Sequence, residues 1–232
     1  MVGSQSINMN PGTLYIVATP IGNLEDLTLR AKRILESVDG IACEDTRHSV
    51  ILLNHYNIRK PLISFHSHSG VTKVEKIIDS LLQGQSIALI SDAGTPGISD
   101  PAYVLIQAAL EKKIPIVPIP GSSAVITALC ASGLPTDKFL YLGFLPIKKG
   151  RQTIFKEIAL SPYTVVFYES PHRLIRTLSE LGQHLKSDAQ IVVAKELTKI
   201  HETFFRGTIA DIAKKLPAGN PKGEYVVMVK PA

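Results

Sequence analysis

The sequence predicts two α/β domains with a cleft between them, the first built on a parallel five-stranded sheet and the second on a mixed sheet. Three observations lead there. From residue 14 to residue 119, short apolar runs alternate with helical patterns. Each run stops abruptly in Gly, Pro or small hydroxyl residues, as parallel strands do where their carboxyl ends open into loops. Beyond Gly133-Leu134-Pro135 the rhythm changes, and two apolar runs stand close enough to pair antiparallel. The expected domains are therefore 12–135 and 136–232.

Taken in order, Leu14–Ala18 is an apolar run closed by Thr19-Pro20-Ile21-Gly22-Asn23. A helix follows from about Leu27 to Ser37, with Leu27, Ala31, Ile34, Leu35 and Val38 at helical spacing. Gly40–Cys43 reads as a strand, then Glu44-Asp45-Thr46-Arg47-His48 and a helix from about Ser49 to Tyr56. Leu62–Phe65 is a third strand, and the helix Val71–Gln83 ends at Gly84, the expected C′ position. The strands Ile87–Ser91 and Ile114–Ile119 complete the first sheet. Asp100-Pro101 offers an N-cap with proline at the first helical position, and Ser122 or Ser123 offers another.

In the second half, Phe139–Leu145 is a strand, followed by the basic loop Pro146-Ile147-Lys148-Lys149-Gly150-Arg151. Helix Gln152–Leu160, strand Thr164–Tyr168, helix His172–Leu185 and strand Ile191–Leu197 come next. His201–Gly207 is expected to pair antiparallel with its predecessor. Helix Ile209–Leu216 and strand Tyr225–Val229 close the chain.

The loops from Ile87 to Ala124 hold the densest ligand signal. Gly94, Gly97 and Gly121 allow backbone N–H and C=O groups to approach a ligand, and the carboxyl edge of an open α/β sheet is where small ligands bind. Ordinary strand-to-helix turns favour the same residues. Anchors for other chemistries are missing: there is no G-x-G-x-x-G after the first strand, no G-x-x-x-x-G-K-[ST] and no G-x-S-x-G. His66 and His68 form a lone pair without a second ligand cluster, so no metal is expected.

Composition sets outer limits. A 45% hydrophobic content over 232 residues supports a substantial core. Cys43 and Cys130 fit no zinc or redox spacing, which suits a reduced, cytoplasmic setting. Residues 1–11 are polar without a signal-peptide core, and no apolar run reaches membrane-spanning length. A net charge of +5 with a pI near 9.1 permits a polyanionic partner without demanding one.

Six ordered stretches carry a resemblance: V-A-T-P-I-G-N-L-E-D-L-T (17–28), C-E-D-T-R-H (43–48), S-D-A-G-T-P-G-I-S-D-P (91–101), P-G-S-S-A (120–124), F-Y-E-S-P-H-R (167–173) and K-E-L-T-K-I-H-E (195–202). Together they resemble the tetrapyrrole-methylase superfamily, and within it the RNA-modifying branch that 2′-O-methylates a cytidine of 16S rRNA, cytidine 1402 by that resemblance. The resemblance runs from about Gly12 to Lys230. It implies a homodimer of two α/β domains, S-adenosylmethionine as cofactor in the cleft, and the small ribosomal subunit as partner. The sequence ends at Ala232 without the small helical module that many members carry, and its fourth motif reads Pro-Gly-Ser-Ser where some carry Pro-Gly-Pro.

Carried over by motif, Pro20 flanks the cofactor, Asp92, Ala93, Gly94 and Thr95 correspond to the superfamily's G-D-P loop, and Pro120, Gly121, Ser122 and Ser123 match its P-G-x-S turn. Backbone around Glu196, Leu197 and Gly223 is expected to close over the adenosyl group. Methyl transfer needs a nucleophile aligned with an electrophilic sulfonium methyl, and a ribose hydroxyl benefits from a group that accepts its proton. Glu44, Asp45, Glu169 and Lys195 sit at or just beyond strand ends and are the catalytic candidates. For Asp45, helix capping competes. Arg47, Lys148, Lys149, Arg151 and Arg173 are the candidates for RNA phosphates, with plain solvation as the competing role of the basic loop. Tyr168 either stacks on an extruded base or packs in the core. With no RNA-binding module in the chain, recognition is expected to rest on shape and to favour an assembled subunit over naked RNA. Two other readings stay open at this stage: a small-molecule methyltransferase on the same scaffold, and a non-catalytic nucleic-acid-binding protein.

Overall fold

A computed structural model describes residues 11–66, 71–216 and 222–232. His68 and residues 1–10 lie outside these. The packing divides the chain between Ser122 and Ser123, ahead of the expected boundary at Gly133–Pro135, because the helix Ala124–Cys130 packs on strands of the second half.

The first unit carries strands β1 (Leu14–Val17), β2 (Gly40–Cys43), β3 (Leu62–Ser64), β4 (Ile87–Ile90) and β5 (Ile116–Ile119). They form one sheet in the order β3-β2-β4-β1-β5, and every pairing is parallel. Helices α1 (Leu29–Ser37), α2 (Thr46–His55), α3 (Val71–Leu82) and α4 (Ala102–Glu111) connect them, with a 3₁₀ turn at Leu24–Asp26. β4 lies at the centre, and its four residues are buried, which is why Ile-Ala-Leu-Ile reads as an unbroken apolar run. Its side chains alternate between two cores. Ile87 and Leu89 join Val74, Ile77 and Leu105 on one face, while Ala88 and Ile90 join Ala31, Leu35 and Leu52 on the other. β5 is an edge strand, the position in a sheet that tolerates Pro118. It begins two residues later than the apolar run suggests, after Pro115.

The second unit holds α5 (Ala124–Cys130), β6 (Phe139–Phe144), α6 (Arg151–Leu160), β7 (Thr164–Glu169), α7 (Pro171–Gly182), β8 (Gln190–Lys195), β9 (Thr203–Gly207), α8 (Ile209–Lys215) and β10 (Tyr225–Lys230). The sheet order is β6-β7-β10-β8-β9. β6 and β7 are parallel, while β10 runs antiparallel to both its neighbours, and β9 antiparallel to β8. This is the expected mixed sheet. α7 buries Leu174, Thr177, Leu178 and Leu181, a stripe at helical spacing, against Phe167, Ile191, Val193 and Val227. Each fully buried Leu, Ile or Phe of that cluster contributes about 1.5–3 kcal/mol by leaving water. Among the described residues, no helix is long and apolar enough to cross a membrane.

Candidate methyltransferase site

Sheet topology sets the site of the first unit. From β2 the chain moves outward to β3, whereas from β4 it returns past β1 to β5. The loops after β2 and β4 therefore diverge, and such a switch point leaves a crevice at the strands' carboxyl ends. The Asp45 N–H donates to Asp92 Oδ1 across it at 3.0 Å. Alongside is a cavity of about 50 Å³, room for water or one small group, lined by Thr19, Pro20, His48, Ser49 and Asp92 among others.

The loops after β1, β4 and β5 are joined by backbone and hydroxyl bonds. Thr19 and Gly94 exchange N–H···O bonds of 2.9 and 3.0 Å. Thr19 Oγ1 donates to the Ser91 carbonyl at 3.2 Å, and Thr95 Oγ1 donates to the Ser122 carbonyl at 3.1 Å. Ser122 Oγ in turn reaches the Asp26 carbonyl at 3.4 Å. Neither Ser122 nor Ser123 caps α5 with its side chain. Gly121 serves a purpose that its sequence context did not suggest: a Cβ there would stand 3.0 Å from Ala18 Cβ and 3.4 Å from the Ala18 carbonyl oxygen. It lets the β1 and β5 ends meet, and its missing side chain faces protein. Pro120, its neighbour in the chain, and Ala93, in the loop after β4, are exposed. Asp100 does not cap through a proline at the first helical position. α4 starts at Ala102, and the Asp100 carboxylate accepts N–H bonds from Gly97 at 2.8 Å and Ala102 at 2.9 Å.

The acids after β2 separate into two kinds. Asp45 caps α2, accepting the Arg47 N–H at 2.8 Å, and its carboxylate also takes Arg47 Nε at 3.1 Å and Nη2 at 2.6 Å. Those bonds from Arg47 hold its pKa down to about 2, which makes it a poor proton acceptor. The Arg47 side chain is 90% exposed, so the same pair fixes an arginine at the protein surface. Glu44 behaves oppositely: burial first, and then the charges of Asp92 and Asp100, push its pKa up. A carboxylate whose charged form is disfavoured is the better base. Burial likewise raises the Cys43 thiol, which packs in the core as an inert group.

The raised Glu44 carries a sign that can be tested. A folded-state pKa above the unfolded value contributes stability below the unfolded pKa, and that contribution is lost as pH rises through the folded pKa. Glu44→Gln is therefore expected to be more stable than wild type at pH 7, with the difference vanishing near pH 4. Urea titrations at the two pH values check this; a variant less stable at neutral pH would show that the carboxylate is not strained.

In the second unit, Lys195 is half-buried at the end of β8, where the chain turns sharply through Glu196 (φ +53°) and Thr198 (φ +65°). Positive φ is uncommon for any residue with a side chain and an outlier for a β-branched one; such strain gathers at functional sites. The turn is held by its own contacts. Glu196 Oε1 accepts the Glu224 N–H at 2.9 Å and meets Lys199 Nζ at 3.0 Å, while Leu197 is buried. Burial alone would raise Glu196, but the Glu224 N–H and Lys199 outweigh it and hold its pKa below the usual carboxylate range. Gly223 (φ +104°) is required at this turn: a Cβ would sit 2.8 Å from Glu196 Cδ.

Of the remaining candidates, Glu169 and Arg151 are buried. Glu169, 2% exposed, accepts Ser170 N–H at 2.7 Å and Thr177 Oγ1 at 2.5 Å and pairs with Arg173 at 2.8 Å. Arg151 is 4% exposed and uses all three guanidinium nitrogens: Nε to Glu180 at 2.7 Å, Nη1 to the Pro146 carbonyl at 3.0 Å and Nη2 to Thr177 Oγ1 at 2.8 Å. Both belong to one network of ion pairs and hydrogen bonds. Lys148 and Lys149 are exposed. Tyr168 is half-buried between Tyr141 and Phe144, with ring centroids 5.5 and 5.4 Å away, the packing alternative.

Two groups escaped sequence reasoning. Asp26 Oδ2 and Thr198 Oγ1 are buried polar atoms without a hydrogen-bond partner, one in each unit. Such an atom costs about 1–3 kcal/mol of unreturned hydration. Both lie inside motif stretches, 17–28 and 195–202, but nothing in a linear sequence marks an atom as unpartnered. The main-chain carbonyl of Asp26 accepts from Ser122 Oγ, which places the residue at the edge where the β1, β4 and β5 loops converge. No group of three or more His, Cys, Asp or Glu residues among those described is placed to hold a metal ion.

Comparison with known proteins identifies the family. The family model for tetrapyrrole (corrin/porphyrin) methylases matches residues 13–213. Ribosomal RNA small subunit methyltransferase I of Synechocystis is 47% identical over 219 residues, spanning 94% of this chain and 78% of that protein. Among solved structures, the methyltransferase CobJ superposes with a TM-score of 0.71 at 17% identity, covering 95% of each chain. Uroporphyrin-III C-methyltransferase from Thermus thermophilus, complexed with S-adenosylhomocysteine, does so with a TM-score of 0.64 at 16% identity, covering 94% of this chain and 97% of that one. The last two share the fold; the first shares nearly half its residues along almost the whole length. The chain belongs to the tetrapyrrole (corrin/porphyrin) methylases and, among them, to the ribosomal RNA small subunit methyltransferase I family.

Proposed function

We propose that this protein transfers the methyl group of S-adenosylmethionine to a ribose 2′-hydroxyl of 16S rRNA, at cytidine 1402 by family resemblance, with the small ribosomal subunit as its substrate. The observation that carries the reading is the 47% identity to a ribosomal RNA methyltransferase set against 16–17% to the porphyrin and corrin enzymes of the same fold. S-adenosylmethionine supplies an electrophilic methyl on a sulfonium. The backbone of residues 92–95 and 120–122 lies along the cofactor, and Asp26 Oδ2 accepts a hydrogen bond from its ammonium. Glu44, the acid with the raised pKa, accepts the ribose proton, while Asp45 keeps Arg47 in place for a phosphate. The protein acts in the cytoplasm as a homodimer, for which exposed apolar side chains such as Tyr103, Val104 and Leu110 on α4 offer surface. Sedimentation equilibrium checks the dimer.

Cofactor binding is the first test. At one hundred times its dissociation constant, S-adenosylmethionine is expected to stabilise the fold by about 2.7 kcal/mol. Asp26→Asn, which replaces one acceptor face with a donor, is expected to weaken binding by about tenfold, the cost of one charge-assisted hydrogen bond. Calorimetric titration reads both. A melting curve indifferent to S-adenosylmethionine and to its demethylated product would end the methyltransferase reading.

A further inference from the structure

The basic loop between β6 and α6 is exposed from Pro146 to Gly150, yet it is gripped from beneath by two arginines, Arg151 buried and Arg173 partly so. Arg173 Nη1 donates to the Leu145 carbonyl at 3.2 Å, Arg151 Nη1 donates to the Pro146 carbonyl at 3.0 Å, and the Arg151 N–H closes onto the Lys148 carbonyl at 3.3 Å. Both arginines are themselves pinned. Glu169 holds Arg173, Glu180 holds Arg151, and Thr177 Oγ1 joins the two halves by accepting from Arg151 and donating to Glu169. An arginine enclosed in this way is costly unless its fork geometry is needed, since burying an ion pair seldom adds net stability. Fixing two successive carbonyls of an otherwise solvated loop is a use for that geometry.

We infer that Glu169, Arg151, Arg173 and Thr177 form a clamp that holds residues 145–150 in one conformation and so presents Lys148 and Lys149 to a phosphate of the RNA. The arginines are positioning residues, and the two lysines make the contact. The inference rests on the RNA-methyltransferase reading for the identity of the polyanion, and on the geometry alone for the clamp. A loop already fixed loses less conformational entropy on binding than a free one, so the clamp acts on affinity for RNA and not on the methyl-transfer step.

A double-mutant cycle tests it. Lys148→Ala with Lys149→Ala is expected to lower the slope of log affinity against log salt by about 0.7–0.9 for each lysine and to weaken small-subunit RNA binding by about threefold to tenfold. Thr177→Val, which removes the hydroxyl joining the arginines, is expected to raise KM for RNA by a similar factor while kcat changes less, and Thr177→Ser to restore it. In the double-lysine background, Thr177→Val is expected to have no further effect on affinity, because the contact it positions is gone. Equal losses in both backgrounds would overturn the inference. Hydrogen exchange of the 145–150 amides, measured without RNA, separates the clamp from the proposed substrate. Faster exchange in Thr177→Val supports the clamp, and unchanged exchange refutes it even if RNA is methylated. Failure of the wild type to bind any RNA, with exchange altered as expected, would refute the phosphate contact and the RNA reading together.

Discussion

Glu169→Ala is expected to lower the unfolding free energy by about 3–5 kcal/mol, the cost of breaking an ion pair whose carboxylate is fully buried and whose arginine is partly so. Its carboxylate is fully enclosed and takes bonds from Arg173, Thr177 and the Ser170 N–H, so all three lose their acceptor at once. For a chain of 232 residues that corresponds to a fall in Tm of roughly 10 °C. At saturating RNA, activity lost in this variant would track the folded fraction, and what folded protein remains would keep its affinity for S-adenosylmethionine. Thermal denaturation followed by far-ultraviolet circular dichroism decides it. A variant that melts with wild type but fails in turnover would return Glu169 to the chemistry.

Glu44→Gln is expected to do the opposite. Turnover on the small subunit falls by about a hundredfold or more, the usual contribution of a positioned general base, while the affinities for cofactor and RNA stay near wild type. The amide keeps the shape of the side chain and removes only its capacity to accept a proton. Because Glu44 is destabilised as an anion by burial and by Asp92 and Asp100, its loss leaves the fold intact. Single-turnover kinetics with labelled cofactor separate the chemical step from binding. Unchanged single-turnover rates would remove Glu44 from the mechanism.

The contrast between these two acids marks how far the sequence reached. Both stand at the end of a strand, and both were reasonable bases. The strands themselves were legible because β2 and β4 are buried on two faces and read as unbroken apolar runs, Gly40–Cys43 to the residue. Boundaries drifted where polar residues carried the structure: α2 begins at Thr46, ahead of the apolar pattern, because Asp45 caps it. The spacing of Glu169, Arg173 and Thr177, four residues apart into a helix, was visible in the sequence, but the arrival of Arg151 from a different helix was not. Encounters of that kind draw three candidates for chemistry and RNA contact, Glu169, Arg151 and Arg173, into one network. The glycine at 121 was legible as a point of close approach, but nothing in the sequence named Ala18 as what approaches it. The unpartnered oxygens of Asp26 and Thr198 depend on three-dimensional enclosure alone.

Transfer of labelled methyl from S-adenosylmethionine to assembled small ribosomal subunits, to naked 16S rRNA and to a porphyrin or corrin precursor at matched salt tests the central claim most directly, with the modified nucleotide located by primer extension at limiting deoxynucleotide. The expected result is a single 2′-O-methyl group on one cytidine, formed far faster in the assembled subunit than in naked RNA, because recognition by shape needs the folded RNA surface that the subunit presents. Label in the tetrapyrrole with none in either RNA would contradict the account.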